Sequence, residues 1–473
     1  MKDSYSPERE AQPSEGRLAR AGLELAAWSE RWFPDPAVVA FLGVVVVFVL
    51  GVFAGEDPGR MVFEGGKGFW ALVPFTMQMV MIIVGGHVVA STAVARGAIR
   101  WLAGLPATPR RAVAWVALFS MLTSLISWGL SLIFSGLLVR EMARRLTGLD
   151  YRAAGAAAYL GLGVTWAMGL SSSAAMLMAT KAAMPASLFA ISGVVPLSQT
   201  IFLWQSAVTT AILITVSVSV AYLSAPSAAN ARTADDYEIP LPSPATVEER
   251  AATPGEWLEH SPTLNILVAA LLFTYLVQVF RTSSNGVLAA LNLNTYNLIF
   301  IAAGLLLHWR PIRFLRAVAE SIPATGGVLL QFPFYAMILG MIAGTGLSEK
   351  LAHVFTSVTS HSTFAVLVGA YSAGLGVFIP SGGSKWVVEA PYVMQAAIAN
   401  RVHLGWVIQI YNASEALPNL INPFWMLPLL GILKLRARDL AGYGMLQLVV
   451  QLPIVFLLCW LFSLSIPFVP PIK

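Results

Sequence analysis

Beyond a polar opening of about 35 residues, long apolar runs alternate with short polar connections. The runs fall near 37–53, 70–93, 112–139, 153–179, 200–224, 263–280, 294–308, 325–347, 364–398, 404–433 and 445–466. Most reach the roughly 17–25 residues that a helix needs to cross a bilayer, so the pattern predicts an all-α polytopic membrane protein. A Pro-, Ala- and Glu-containing stretch at 225–262 divides the chain nearly in half. The organisation therefore reads as a leader (1–35), a first membrane repeat (36–224), a polar linker (225–262) and a second membrane repeat (263–473) with one extra helix at 263–280. The leader mixes Glu with Arg and lacks the basic start and apolar core of a signal peptide. It is expected to stay cytoplasmic, with an interfacial helix around Leu18 to Phe33.

Charge between the runs sets the expected orientation, because short loops rich in Lys and Arg stay on the cytoplasmic side. Arg96, Arg100, Arg110 and Arg111 form one such loop; Arg140, Arg144, Arg145 and Arg152 form another; Arg310, Arg313 and Arg316, then Lys434, Arg436 and Arg438, mark two more. The first two loops flank a single run of about 28 residues, Ala112 to Val139. Two passes would need about 40 residues, so this segment is expected to enter the membrane and turn back at Ser127-Trp128-Gly129. An irregular turn at that depth is tolerated only when buried in protein or lining a wet cavity.

An internal repeat points the same way. Phe75-Thr-Met-Gln-Met-Val-Met-Ile-Ile-Val-Gly-Gly resembles Phe332-Pro-Phe-Tyr-Ala-Met-Ile-Leu-Gly-Met-Ile-Ala-Gly, and at nearly the same offset Ser127-Trp128-Gly129 falls on Ser381-Gly382-Gly383. With the extra helix between them, the loop charges place the two halves in opposite orientations. Inverted repeats with broken helices at matched places are the sequence signature of a secondary transporter.

Composition sharpens this picture. Hydrophobic residues make up 57% of the chain and charged residues 11%, against about 25% charged in soluble domains, so the excess apolar surface faces membrane lipid. The net charge of +5 comes from 29 Lys and Arg against 24 Asp and Glu. The basic residues are spread over short loops without a stripe or interleaved aromatics, so nucleic acid is not an expected partner. Cys459 is the single cysteine, which excludes an intrachain disulfide and a Cys-based zinc site. The chain contains no H-E-x-x-H, G-x-S-x-G or Walker pattern, and no cofactor is implied.

Three polar constellations interrupt the apolar runs. In Ile379-Pro380-Ser381-Gly382-Gly383-Ser384-Lys385-Trp386, proline removes a donor and two glycines permit close approach, so free N–H groups, hydroxyls and Lys385 can meet an anion. A surface loop with a snorkelling lysine is the plainer reading. In Asn412 to Pro423, the residues Glu415, Asn419 and Asn422 share a face if locally helical, and an ionisable residue at membrane depth is a functional candidate. Its plainer role is a structural pair with Lys385. In Gly163 to Ser173, a glycine break next to Ser171 and Ser172 could meet a carboxylate or a sodium ion, or could simply pack helices. Gln78, His87 and Gln331 read as packing groups. A Ser/Lys nucleophile pair at Ser381 or Ser384 with Lys385 would suit an intramembrane hydrolase, but a hydrolase needs no matched break at Ser127. A channel would need a continuous polar lining.

Ser127-Trp-Gly-Leu-Ser, Arg140-Glu-Met-Ala-Arg-Arg, Gln331-Phe-Pro-Phe-Tyr-Ala, Pro380-Ser-Gly-Gly, Pro423-Phe-Trp-Met-Leu-Pro and Arg438-Asp-Leu-Ala-Gly-Tyr, in this order from Trp32 onward, resemble the bacterial short-chain fatty acid transporter family. The resemblance implies a bacterial inner-membrane secondary carrier for small monocarboxylates such as butyrate or acetoacetate, and an ion-transporter-like fold of two inverted repeats with two re-entrant hairpins. Glu415 and Asn419 match the family's last broken helix, and Ser381, Gly382 and Gly383 its second hairpin tip. The chain departs from the family pattern at Ser384-Lys385, where Gly-His or Gly-Gln precedes the tryptophan, and at Ser127, where the family has Asn. The pocket therefore gains a positive charge.

The expected site lies between the two hairpin tips. Ser127, Gly129, Ser381, Gly382, Gly383, Ser384, Lys385, Asn412, Asn419 and Asn422 are expected on the substrate, with Glu415, Ser171 and Ser172 serving coupling to H⁺ or to Na⁺ held at the tips. A carrier for another small organic anion is the alternative. The coupling ion, net flux, exact acid and any homo-oligomer stay open.

Overall fold

The computed structural model describes residues 15–71, 73–181, 184–241, 253–283, 290, 293–347, 350, 357, 359–378 and 382–471, which fold into helices joined by short breaks. Among these residues, five helices are long and apolar enough to cross a membrane: Tyr151–Ala179, Trp204–Ser224, Pro262–Thr282, Gly326–Gly344 and Ala437–Ser465. Two bent pairs join them, Arg17–Trp32 with Ala37–Phe53 at 72° and Thr76–Ala90 with Ala93–Ala103 at 82°. Pro262–Thr282 shows how these helices invert the rule for soluble proteins. Leu267 and Leu271 are 57% and 71% exposed, whereas Asn265 is buried and donates to the Leu305 carbonyl at 3.0 Å. Apolar groups outside and polar groups paired inside are what a lipid solvent requires. The protein is a multi-pass, all-α membrane protein.

The same series of elements occurs twice. In the first half a hairpin, Pro109–Ser124 and Trp128–Arg145, precedes a broken helix and the long helix Trp204–Ser224. That broken helix runs through Tyr151–Leu160, a π turn Gly161–Thr165 and a 3-10 turn Trp166–Met168 before resuming at Ser173–Ala179. In the second half the hairpin is Phe364–Phe378 and Gly382–Ala399, the broken helix is Leu404–Asn419 and Leu427–Leu433, and the long helix is Ala437–Ser465. The apolar parts of the first hairpin, 112–124 and 128–139, rise about 18–20 Å each at 1.5 Å per residue. That is about two-thirds of a 30 Å hydrocarbon core, the depth of a re-entrant turn.

Local chemistry sets each break. Thr108 and Ser127 cap the two arms of the first hairpin through the amides of Arg111 and Leu130. At Gly169 a β-carbon would lie 2.7 Å from Leu125 Cα, so only glycine lets the first broken helix pass under the hairpin tip. Pro423 has no N–H to continue the second broken helix. Phe424 just beyond it stacks on Phe332, ring centroids 4.0 Å apart.

The leader forms a helix, Arg17–Trp32, over the residues where one was expected. Its buried positions Ala19, Gly22, Ala26 and Ser29 share one face at helical spacing and pack on Ala437–Ser465. Ser29 donates to the Arg438 carbonyl at 2.7 Å, and Arg152 bridges Glu30 at 3.1 Å and Asp150 at 2.8 Å. Glu15 is anchored by Ser227, Asn230 and Arg110. Burial raises the Glu15 pKa, but these hydrogen bonds and the Arg110 charge outweigh it and hold the carboxyl below its ordinary value.

Candidate functional site

Lys385 and Glu389 lie one turn apart on the second hairpin arm, so their side chains share a face. Glu415 reaches the same point from Leu404–Asn419. Lys385 Nζ pairs closely with Glu415 Oε2, stands 3.5 Å from Glu389 Oε1 and donates to the Ser372 carbonyl at 2.6 Å. Ser372 Oγ in turn donates to Glu389 Oε2 at 2.7 Å. The ammonium also lies 4.9 Å from the Tyr411 ring centroid, and the Tyr411 hydroxyl donates to the Gly382 carbonyl at 2.7 Å. Gly376 makes this convergence possible: a β-carbon there would sit 2.8 Å from Pro418 Cγ and 2.9 Å from Glu415 Oε2.

Lys385 and Glu389 are 0% exposed and Glu415 is 1% exposed. A lone charge is prohibitive at such a place, and the three together carry one positive centre for two carboxylates. Next to them Asn419 is fully buried, yet neither its Nδ2 nor its Oδ1 has a hydrogen-bond partner, and Ser414 Oγ is also without one. What sets these atoms apart from other unpartnered buried groups is their place on the helix that carries Glu415. Asn419 sits one turn beyond Glu415 on the same face. Asn422 does not share that face, because the helix ends at Asn419. Instead its Nδ2 donates to the Val377 carbonyl at 2.9 Å and its Oδ1 accepts from the Phe424 amide at 2.9 Å, tying the break to the hairpin.

The first half builds a neutral lattice at the equivalent place. Ser171 Oγ donates to the Ser124 carbonyl at 2.7 Å and accepts from the Trp128 amide at 3.0 Å, clasping the first hairpin tip. Thr165 and Ser124 hydroxyls meet at 2.8 Å, and Ser131 Oγ donates to the Ser120 carbonyl at 2.6 Å. Ser172 caps Ser173–Ala179 and donates to Asn412 Oδ1 at 3.1 Å; Asn412 then donates to Gln409 and Gln409 to Ser206.

Each hairpin tip also touches the break of the other half. The Trp128 and Trp425 rings meet edge to face at 5.2 Å. A β-carbon on Gly382 would lie 3.0 Å from Trp166 Cζ2, and one on Gly383 would lie 3.2 Å from Ser173 Cβ. Neither glycine has a positive φ, so close approach, not backbone handedness, restricts them. At Gly129 the nearest neighbour of a β-carbon would be the side chain of Ile82 at 3.3 Å.

Of the expected site residues, the structure gathers Gly382, Lys385, Glu415 and Asn419 around one buried point, with Asn412 linked from the first half through Ser172. Ser127, Gly129 and Ser171 belong to the other tip. Ser381 lies outside the described residues, and Ser384 is described only as a helical position. Glu389 was not anticipated. Its spacing of four from Lys385 inside an apolar run was the available signal.

A family model described as "Short chain fatty acid transporter" matches residues 17–462. A protein of Escherichia coli K12, by name a candidate short-chain fatty acid transporter, is 34% identical over 438 residues, covering 90% of this chain and 95% of its own length. A Haemophilus influenzae Rd protein of the same name is 31% identical over 443 residues, covering 92% and 98%. The solved structure of MtrF from Neisseria gonorrhoeae, titled as one of a class of antimetabolite efflux pumps, aligns over 95% of this chain and 99% of its own, with 13% identity and a TM-score of 0.45.

Proposed function

The chain belongs to the short-chain fatty acid transporter family, and from that premise we propose that it takes up small monocarboxylates such as butyrate or acetoacetate by proton-coupled alternating access across the bacterial inner membrane. The basic loops at 96–111, 140–152, 309–317 and 434–439 lie in the cytoplasm with the N-terminus.

The observation that carries the proton is the buried cluster of one ammonium and two carboxylates. With Glu415 ionised, Lys385 is neutralised from within the protein and has little to offer a second anion. A proton on Glu415 removes that competitor, and a substrate carboxylate then takes its place on Lys385, with Asn419 and Ser414 as additional partners. Anion and proton enter together, so the net charge at the buried point is the same with and without substrate. Glu389 stays as the permanent counter-charge. Lys385 thus acts on the substrate only after Glu415 lets go of it.

The hydrolase alternative is disfavoured by the same geometry. A lysine that activates a serine must accept its proton, and Nζ here already donates to Glu415 and the Ser372 carbonyl.

The test is uptake of labelled butyrate and acetoacetate into proteoliposomes under an imposed proton gradient and then a sodium gradient. Accumulation with the proton gradient alone is expected. Accumulation with sodium alone reassigns coupling to an ion at the hairpin tips, and no uptake of either acid under either gradient rejects the substrate class.

A further inference from the structure

On the face marked by the basic loops, away from Lys385, four elements enclose a cavity of about 260 Å³. This is just below the roughly 300–1,000 Å³ of pockets for drug-sized ligands, so its occupant is smaller. Ile83 and His87 come from Val73–Ala90, Leu137 and Arg140 from the first hairpin, Glu320 from Pro311–Ser321, and Ile432 and Lys434 from the end of the second broken helix. The cavity therefore sits where elements of both halves meet.

Its polar groups are few and unequal in sign. Arg140 spends its guanidinium on two neutral acceptors, the carbonyls of Ile432 and Pro240, both at 2.9 Å. Among the described residues neither Arg140 nor Lys434 has a carboxylate within ion-pair distance. Glu320 is the one carboxylate in the wall, 3.7 Å from His87 Nε2. Two permanent positive charges face one negative charge, and a single monovalent anion would balance them. Ile83, Leu137 and Ile432 give the rest of the lining an apolar character suited to a short alkyl chain. A head that needs a cation and a tail that needs dry walls is the chemistry of a short monocarboxylate.

We infer that this cavity is a second carboxylate-binding site, distinct from the Lys385 cluster, where the acid waits on the basic face of the protein. Its use in transport rests on the carrier reading, but binding there does not.

The test measures binding of labelled butyrate to the full chain in lipid nanodiscs. Lys434 is exposed, so Lys434→Glu reverses the wall charge without disturbing the core. It is expected to remove one equivalent of bound butyrate, whatever number the parent binds. Arg140→Gln should do the same, while Lys385→Met combined with Glu389→Gln and Glu415→Gln, which strands no buried charge, should leave that equivalent in place. Unchanged stoichiometry in Lys434→Glu and Arg140→Gln, or no butyrate bound by the parent, overturns the inference. Transport is read separately in proteoliposomes, where failure of the parent to accumulate acid would sink the carrier reading and leave the stoichiometry result standing.

Discussion

The two broken helices occupy equivalent places and solve the same problem in opposite ways. Around Gly169 the freed backbone groups are taken up by serine and threonine hydroxyls, all neutral and each with a partner. Around Pro423 the protein buries a lysine and two carboxylates and leaves Asn419 and Ser414 unsatisfied. This hydroxyl lattice carries no charge, and its members Ser124, Thr165 and Ser171 are paired with one another or with the hairpin backbone. A cluster with an odd charge and vacant donors has at least two arrangements, distinguished by where a proton sits and what anion is present. Under the proposed function, the first half then serves as a fixed frame, and the second half is where substrate and proton act.

Removing the positive charge should break this contrast most severely. Lys385→Met leaves Glu389 and Glu415 buried with no cation, and losing one partner of a buried pair costs about 3–5 kcal/mol. A large drop in the thermal unfolding midpoint of the purified protein is expected, together with loss of butyrate uptake. Adding Glu389→Gln and Glu415→Gln removes the stranded charges and should restore most of the stability but none of the uptake. If Lys385→Met alone unfolds like the parent, the cluster is not held by charge.

Glu415→Gln sharpens the contrast without stranding a negative charge. Lys385 keeps Glu389, so the protein should fold, and the competitor for the substrate carboxylate becomes neutral. Butyrate should still bind and exchange across the membrane, while accumulation driven by a proton gradient should fall to the level of passive equilibration. Accumulation equal to the parent would make Glu415 a structural partner only.

Sterics distinguish the two tips as well. Gly382→Val places new atoms against the Trp166 ring at a distance no real contact tolerates, where the second hairpin meets the first break. Uptake should fall by at least tenfold with the protein still folded. The same change at Gly129, opposed by the flexible side chain of Ile82, should cost several-fold less. Equal losses at both glycines would mean that the tips are used alike.

Much of this contrast is legible in the order of residues along the chain. The apolar periods locate the spans, the loop charges require 112–139 to turn back, and Pro423 with Gly169 locates the breaks. What a linear chain does not display is which polar residues meet across helices. Ser171 and Lys385 look alike as polar residues beside glycine, yet the first closes a hydrogen-bond lattice and the second an ion cluster. Glu389 is legible only as a carboxylate four residues past a lysine, a spacing that on a surface helix contributes a few tenths of a kcal/mol and draws no notice. Burial gives it importance, and burial depends on how the hairpin docks. The cavity near Arg140 is out of reach for the same reason, since its walls come from four separated segments.

The smallest effect is expected in the frame itself. Ser171→Ala removes one hydroxyl that both donates to the Ser124 carbonyl and accepts from the Trp128 amide. A neutral hydrogen bond contributes about 1 kcal/mol net, and a buried group left without a partner costs about 1–3 kcal/mol. The first hairpin tip retains Ser127 as the cap of its second arm, so the loss should stay near the lower figure and appear as a drop of a few degrees in the unfolding midpoint. Butyrate affinity and the response to a proton gradient should match the parent, because the change touches neither the Lys385–Glu389–Glu415 charges nor the unpaired groups beside them. A loss of gradient-driven accumulation in Ser171→Ala with affinity retained would contradict the division of labour between the halves, since it would place the coupling ion among the hydroxyls of the first break instead of on the carboxylates of the second.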